Sequence, residues 1–306
     1  MSARAWAFGL AERAAAPGLA ESAAHWLSMP ADGLTVPVDG RTTGHDAGSN
    51  GNGVNRDARL LTLTLGAETS RSLLHDAPRR LQASVQALLL GALLLGWREW
   101  GGGDTLRLDL EGHGRDVLGD GFDVSRTVGW FTTVFPLRLA LPGNASDDPA
   151  STAAAAVRQA QEALDALPLR GAAHGLLRHL SPDAGLRAAL AAQTRPALLF
   201  NHLGTYDLAL PPSSRLRVTD EATGRMRSPD AARPYLLELN SRFEGGLLIL
   251  TIEYARELQR TESIERLRVC VRDALETVAQ AATAPFGLDA SALDTVALLL
   301  DELDEA

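Results

Sequence analysis

Leu106-Arg107-Leu108-Asp109-Leu110-Glu111-Gly112-His113-Gly114-Arg115 is the stretch that decides the fold of this chain. Three leucines alternate with three charged residues, the period of two that gives a β-strand one apolar and one charged face. Just upstream, Gln82 to Trp100 is apolar around most of a helical circumference, which places it in the core, and Gly101-Gly102-Gly103 stops it. Further upstream, Leu61, Leu63 and Leu65 alternate with Thr62 and Thr64 as a half-buried strand. Downstream, Phe131 to Leu141 reads as a strand and Pro149 to Leu167 as a helix. Ala197 to Leu203 is another strand. Tyr235 to Asn240 and Leu247 to Tyr254 pair as a hairpin around Glu244-Gly245-Gly246. Thr261 to Ala282 is a long amphipathic helix with Thr261 or Ser263 as its cap. There is no internal repeat and no strict strand–helix–strand alternation. The fold class is α/β, a mixed sheet flanked by helices and not a doubly wound one.

The composition sets limits. The chain has 306 residues, 45% hydrophobic and 22% charged, enough for one large domain or two smaller ones. Its 29 basic side chains are all arginine and face 38 carboxylates, for a net charge of -9. Eight of those carboxylates and no arginine fall in residues 273–306, so the rest is close to neutral. With no basic stripe, neither nucleic acid nor a membrane surface is an expected partner. Cys270 stands alone, which excludes an intrachain disulfide and a cysteine metal cage. No basic-then-apolar leader opens the sequence, and the longest apolar run, Ala87 to Trp97, is 11 residues, short of the roughly 18 a membrane span needs. The chain reads as cytoplasmic.

Residues 1–38 read as short amphipathic helices anchored by Trp6, Leu10, Trp26 and Leu27, with a break at Pro17-Gly18. Residues 39–57 hold five glycines and almost nothing apolar, the composition of a mobile connector. Residues 58–306 form the main unit. Near the end, Ala290 to Leu303 has helical apolar spacing, Asp289 as a cap, and Asp301, Glu302, Asp304 and Glu305 crowding its far end.

Several chemistries are missing by motif: no Walker loop, no GxGxxG after a strand, no GxSxG elbow and no HExxH. The seven histidines are scattered, His174 and His179 on different helix faces, and no metal site is expected. What remains is EGHGR at 111–115. A carboxylate where a strand runs out, flanked by glycines that admit a close approach, suits proton transfer once desolvation raises its pKa. The same alternation also fits a solvated row of Arg107, Asp109 and Glu111, and spacing alone leaves both readings open.

LRLDLEGHGRD, followed by DVSRTVGWFT at 123–132 and Phe135-Pro136, resembles the epimerization domain of nonribosomal peptide synthetases, a branch of the condensation-domain superfamily. LRGAAHGLLRHL at 169–180, FNHLG at 200–204, Leu239 to Tyr254, Pro285-Phe286 and Arg4-Ala5-Trp6 extend the resemblance over nearly the whole chain. It implies a chloramphenicol-acetyltransferase-like architecture in which two lobes face each other across a tunnel. Residues 1–38 would close the N-terminal lobe, 39–57 link, and 58–306 form the C-terminal lobe. The implied activity is inversion of the Cα of an aminoacyl or peptidyl thioester held on the phosphopantetheine arm of a peptidyl carrier domain, with no directly bound cofactor or metal. Glu111 would transfer a proton and Asn201 would meet the thioester or enolate oxygen. His113, Ser125, Arg126, Trp130, Thr132 and His202 are the candidate substrate contacts. For Trp130, Phe131 and His113 a purely structural role stays open, and Arg115 and Arg126 have Asp109, Asp116 or Asp123 as alternative partners. Arg126 also has the phosphate of the carrier arm as an alternative.

The sequence departs from that family where it lacks HHxxxDG, whose second histidine is the family's other proton-transfer group. His202 and His174 stand where tyrosines are usual. The resemblance therefore implies a further partner, the missing N-terminal lobe on the same or another chain, without which no complete inversion is expected. The acidic tail is either a solvated closing helix or a docking element for a basic patch on a downstream synthetase subunit. Two other readings compete: a condensation-type acyl or peptidyl transferase, which would use the absent histidine motif, and a non-catalytic carrier-binding fragment.

Overall fold

A computed structural model describes residues 1–33, 35–36, 52–115, 119, 122–143, 148–206, 213–215, 219, 221, 224 and 226–281. Among these residues six strands build one sheet: β1 (Ala58–Thr64), β2 (Thr105–Gly112), β3 (Thr133–Ala140), β4 (Leu198–Thr205), β5 (Leu237–Glu244) and β6 (Leu247–Ala255). Their order is β1-β6-β5-β4-β2-β3, with β2, β4 and β5 parallel neighbours and the other pairings antiparallel. The hairpin expected from Gly245-Gly246 is present: Glu244 pairs with Leu247, and both glycines have positive φ (59° and 74°), the tight two-residue turn that matches strand twist.

The α-helices that accompany the sheet among the described residues are α1 (Ala3–Ala14), α2 (Pro17–Glu21), α3 (Ala23–Leu27), α4 (Ala67–Arg71), α5 (Ala77–Arg80), α6 (Val85–Trp97), α7 (Pro149–Asp165), α8 (Ala172–Leu180), α9 (Ala184–Ala191) and α10 (Thr261–Ala281). The all-round apolar helix is α6, capped by the Ser84 hydroxyl and clasped by α7 and α10. Its two glycines are contact points: a Cβ at Gly91 would lie 2.9 Å from the Val157 Cα, and one at Gly96 would lie 2.8 Å from the Val271 Cα. Leu108, Leu110, Phe200, Leu239 and Ile252 turn from the sheet into this layer and make the main core. Among the described residues no single helix is long and apolar enough to cross a membrane.

On the other side, α1, α2 and α3 pack with α8 and α9 around Trp6, Trp26, Leu177 and Leu190, and α8 lies against β3. Trp6 meets Phe131 edge to face at 5.3 Å. The first helices are thus seated over the sheet's second face at the β2–β3 edge, with Trp6 and Trp26 buried as anchors while Leu27 is exposed. Pro17 starts α2 instead of ending a helix, since a ring at the first helical position removes an N–H that has no partner anyway.

The last six residues of the expected connector, 52–57, lie among the described ones. Asn52 donates its side-chain amide to the Pro234 carbonyl, Asn55 and Arg56 donate backbone N–H groups to Ala231 and Pro229, and Val54 bridges Ala232. Residues 52–57 are therefore pinned before β1. Residues 39–51 and the acidic tail with its expected helix lie outside the described residues.

Candidate active site

Glu111 is the penultimate residue of β2, and alternation sets Arg107, Asp109 and Glu111 on the face opposite the α6 layer. They are not a solvated row: Arg107 and Asp109 are only 4% and 5% exposed, because α1 and α8 come over that edge. Glu111, at the open end, is half-buried.

The parallel register puts Leu110 beside Phe200 and so brings Asn201 level with Glu111 on the same face. The Asn201 Nδ2 group donates to Glu111 Oε2 at 2.7 Å. Continuing across the sheet, Asn240 and Thr251 occupy the same level of β5 and β6. One level down, the buried Glu238 accepts both Nη groups of Arg227 (2.9 and 3.0 Å) and lies 3.5 Å from the fully buried Arg233, which also holds Glu253. Burial pushes the Glu111 carboxyl up from the ordinary glutamate value, the Glu238 charge pushes the same way, and Arg227 pulls it back. The Glu111 carboxyl is thus raised by its surroundings and oriented by an amide.

Asp109 carries a separate cluster: the Tyr235 hydroxyl donates to its Oδ2 at 2.7 Å, and Arg195 reaches the same oxygen at 3.3 Å while stacking over the Tyr235 ring. Burial raises Asp109, against the pull of Tyr235 and the arginines. Next to it is a cavity of about 510 Å³. Trp130 and Thr132 line it, together with Trp6, Arg107, His174 and Gln193.

The remaining candidates do not join Glu111. His202 follows Asn201 in β4, so alternation turns it to the opposite face, where its Nδ1 is 3.0 Å from the Ser241 hydroxyl and its ring sits edge-on to Phe243. Burial lowers its pKa. His113 lies beyond the strand end on the surface, with Nδ1 accepting the Arg115 N–H. Ser125 and Arg126 occupy an exposed turn, the Ser125 N–H donating to Asp123. Arg115 donates to the carbonyls of Val124, Thr127 and Gly129 and lies over the Phe131 ring, stapling the loop that presents Trp130.

Gly114 explains half of the EGHGR pattern: it has φ +64°, and a Cβ there would come within 1.8 Å of the Phe131 carbonyl oxygen. The close approach is by the protein's own loop. Sequence reasoning missed Arg227, Glu238, Tyr235 and Arg195. Asp109 carried the one available signal, a shared strand face with Glu111. Among the described residues no three His, Cys, Asp or Glu side chains converge as a metal-ligating group.

The family model described as the condensation domain matches residues 4–290. A linear gramicidin synthase protein of Brevibacillus parabrevis is 32% identical over 90% of the chain, and chondramide synthase of Chondromyces crocatus is 39% identical over 70%. The chain spans only 3% and 5% of those proteins. Among solved structures, the epimerization domain from the third module of tyrocidine synthetase B superposes with a TM-score of 0.79 at 26% identity, covering 93% of this chain and 60% of that one. The X-domain from teicoplanin biosynthesis, solved as a complex with OxyB, shares the fold at a TM-score of 0.59 and 19% identity, covering 86% of this chain and 53% of that one.

Proposed function

The chain belongs to the condensation-domain family of nonribosomal peptide synthetases, and we propose that it serves as the Glu111-bearing part of an epimerization domain. The substrate class is an aminoacyl or peptidyl thioester on the phosphopantetheine arm of a carrier domain. The ionised Glu111 carboxylate takes the Cα proton, the C–H pair moves toward the thioester carbonyl as an enolate, and a proton returns from the opposite face. Asn201 positions the carboxylate through its amide hydrogen bond, and burial raises the carboxyl's pKa, which makes it a stronger base.

The single observation that carries this reading is the Glu111–Asn201 pair, 2.7 Å apart, with Glu111 half-buried on the open sheet face. The likeness to the tyrocidine epimerization domain supports it. No two histidines are adjacent in this sequence, and in this reading the second proton donor is supplied by a facing lobe. The isomerase assignment and the carrier partner rest on this same reading.

The test is isotope wash-out from the substrate Cα. In the domain assembled with its facing lobe, Glu111→Gln keeps the shape and removes the base, and exchange should fall at least about 10²-fold. Exchange at the parent rate would sink the assignment. Peptide-bond formation that survives the substitution would favour a condensing transferase instead.

A further inference from the structure

Two asparagines stand side by side in the middle of the sheet, where asparagine is a poor choice for a strand. Asn201 of β4 and Asn240 of β5 are register partners in the parallel pairing. Alternation puts Asn240 on the face that carries Glu111 and Asn201, because Leu239 and Phe243 turn into the main core. Both asparagines are half-buried. Their commitments differ. Asn201 gives its Nδ2 group to Glu111 Oε2 at 2.7 Å. The Asn240 side-chain amide has no hydrogen-bond partner among the described residues, although its backbone carbonyl accepts from the Thr251 hydroxyl at 3.3 Å. An amide left without its hydrogen bonds in a central strand contributes nothing to stability, so its place there needs another reason.

The chemistry at Glu111 supplies one. Forming an enolate moves negative charge onto the thioester oxygen, and a donor aimed at that oxygen lowers the barrier because its bond strengthens as the charge grows. Neighbouring donors are spent: the Thr251 hydroxyl on the Asn240 carbonyl, and both Nη groups of Arg227 on Glu238. The hydrogen bond to Asn201 draws the Glu111 carboxylate toward β4, so Asn240 lies about one strand spacing, roughly 5 Å, beyond it. A Cα and its carbonyl oxygen are about 2.4 Å apart. With a proton-transfer contact at one end and a hydrogen bond at the other, that pair of atoms spans the interval.

We propose that Asn240 donates to the thioester oxygen as the enolate forms, so that the two asparagines divide the work: Asn201 orients the base and Asn240 holds the oxygen. This rests on the carrier-thioester reading. The Asn240 amide keeps its protons throughout. The Cα proton goes to Glu111, the C–H electron pair becomes the enolate, and Asn240 supplies only the hydrogen bond.

In the domain assembled with its facing lobe, Asn240→Leu keeps roughly the side-chain size and removes the donor. The kcat for Cα exchange should fall about 10²-fold with KM little changed, as for the loss of one oxyanion donor. Asn240→Asp, which has the same shape and no N–H, should fall at least as far and serves where thermal melting shows the leucine variant to be unfolded. A second measurement does not depend on proton transfer. It reads the infrared carbonyl band of a carrier loaded with an aminoisobutyryl thioester, labelled with carbon-13 at the carbonyl, which has no Cα proton. The bound band should lie below the free one in the parent domain, return toward it in Asn240→Leu, and stay low in Glu111→Gln. Exchange at the parent rate in the Asn240 variants, or a parent band no lower bound than free, would overturn the proposal. A fall in exchange with the bound band unmoved would also overturn it, since Asn240 would then act only on the structure. If the band responds to Asn240→Leu while Glu111→Gln exchanges at the parent rate, the oxygen contact stands and the proton-transfer role of Glu111 fails.

Discussion

Glu111 is held between a like charge and a cation, and that balance is open to adjustment from outside. Arg227 is half-exposed and lowers the Glu111 pKa, while Glu238 raises it. Arg227→Gln removes the favourable charge and leaves Glu238 compensated only by Arg233, so the Glu111 pKa moves further up. Proton removal needs the ionised form, which makes the acid limb of the exchange rate follow that pKa. The limb should shift to higher pH in Arg227→Gln, read from the pH profile of Cα exchange. A limb that stays in place, or moves down, would show that Arg227 does not act on Glu111. At this scale the sequence was legible in part. Alternation showed that Arg107, Asp109 and Glu111 share a face, but period two carries no information on what covers the face. Arg227 was invisible because it sits in a polar loop without periodicity, and its partner Glu238 reads as an ordinary polar strand position.

At the scale of elements, the strands were readable because their leucines alternate, and the hairpin because two glycines separate two apolar runs. The strand order was not readable: β2 pairs with β4, and β1 closes the sheet against β6, across long sequence separations that leave no local signal. Nor did the apolar run at 87–97 reveal why it contains glycines. Gly91 and Gly96 allow α6 to touch the backbones of α7 and α10. Gly96→Ala sets two effects against each other. Alanine improves helix propensity by about 1 kcal/mol. Its Cβ, however, would lie 2.8 Å from the Val271 Cα and 2.9 Å from its nitrogen, so whole helices must separate, at about 1–3 kcal/mol for an overpacked core. Because the obstructing atoms are backbone, overpacking should win. Denaturant unfolding should show a lower midpoint with an unchanged slope, and a stabilised variant would mean that the α6–α10 contact is slack.

For the whole molecule, the two apolar clusters define the division of labour. The α6, α7 and α10 layer holds the sheet rigid from one side. Among the described residues the α1–α3, α8 and α9 cluster covers the β2–β3 edge of the other side and stops short of the Glu111 end, where Glu111 is half-buried. Inversion needs two proton-transfer groups on opposite sides of the substrate Cα, whereas a single base returns the proton to the face it came from. His202 is turned to the far side of the sheet, and His113 stands off the strand end. With Glu111 as the acid–base group of the open face, the purified chain given a loaded carrier should leave the substrate in the L configuration, even where isotope exchange at Cα is detectable. Adding a facing lobe that carries the adjacent-histidine motif should convert exchange with retention into a D/L mixture. Chiral analysis of the released product separates the outcomes. A D/L mixture formed by the chain alone at an enzymatic rate would mean that a group within these residues reaches the second face, with His113 the first to replace.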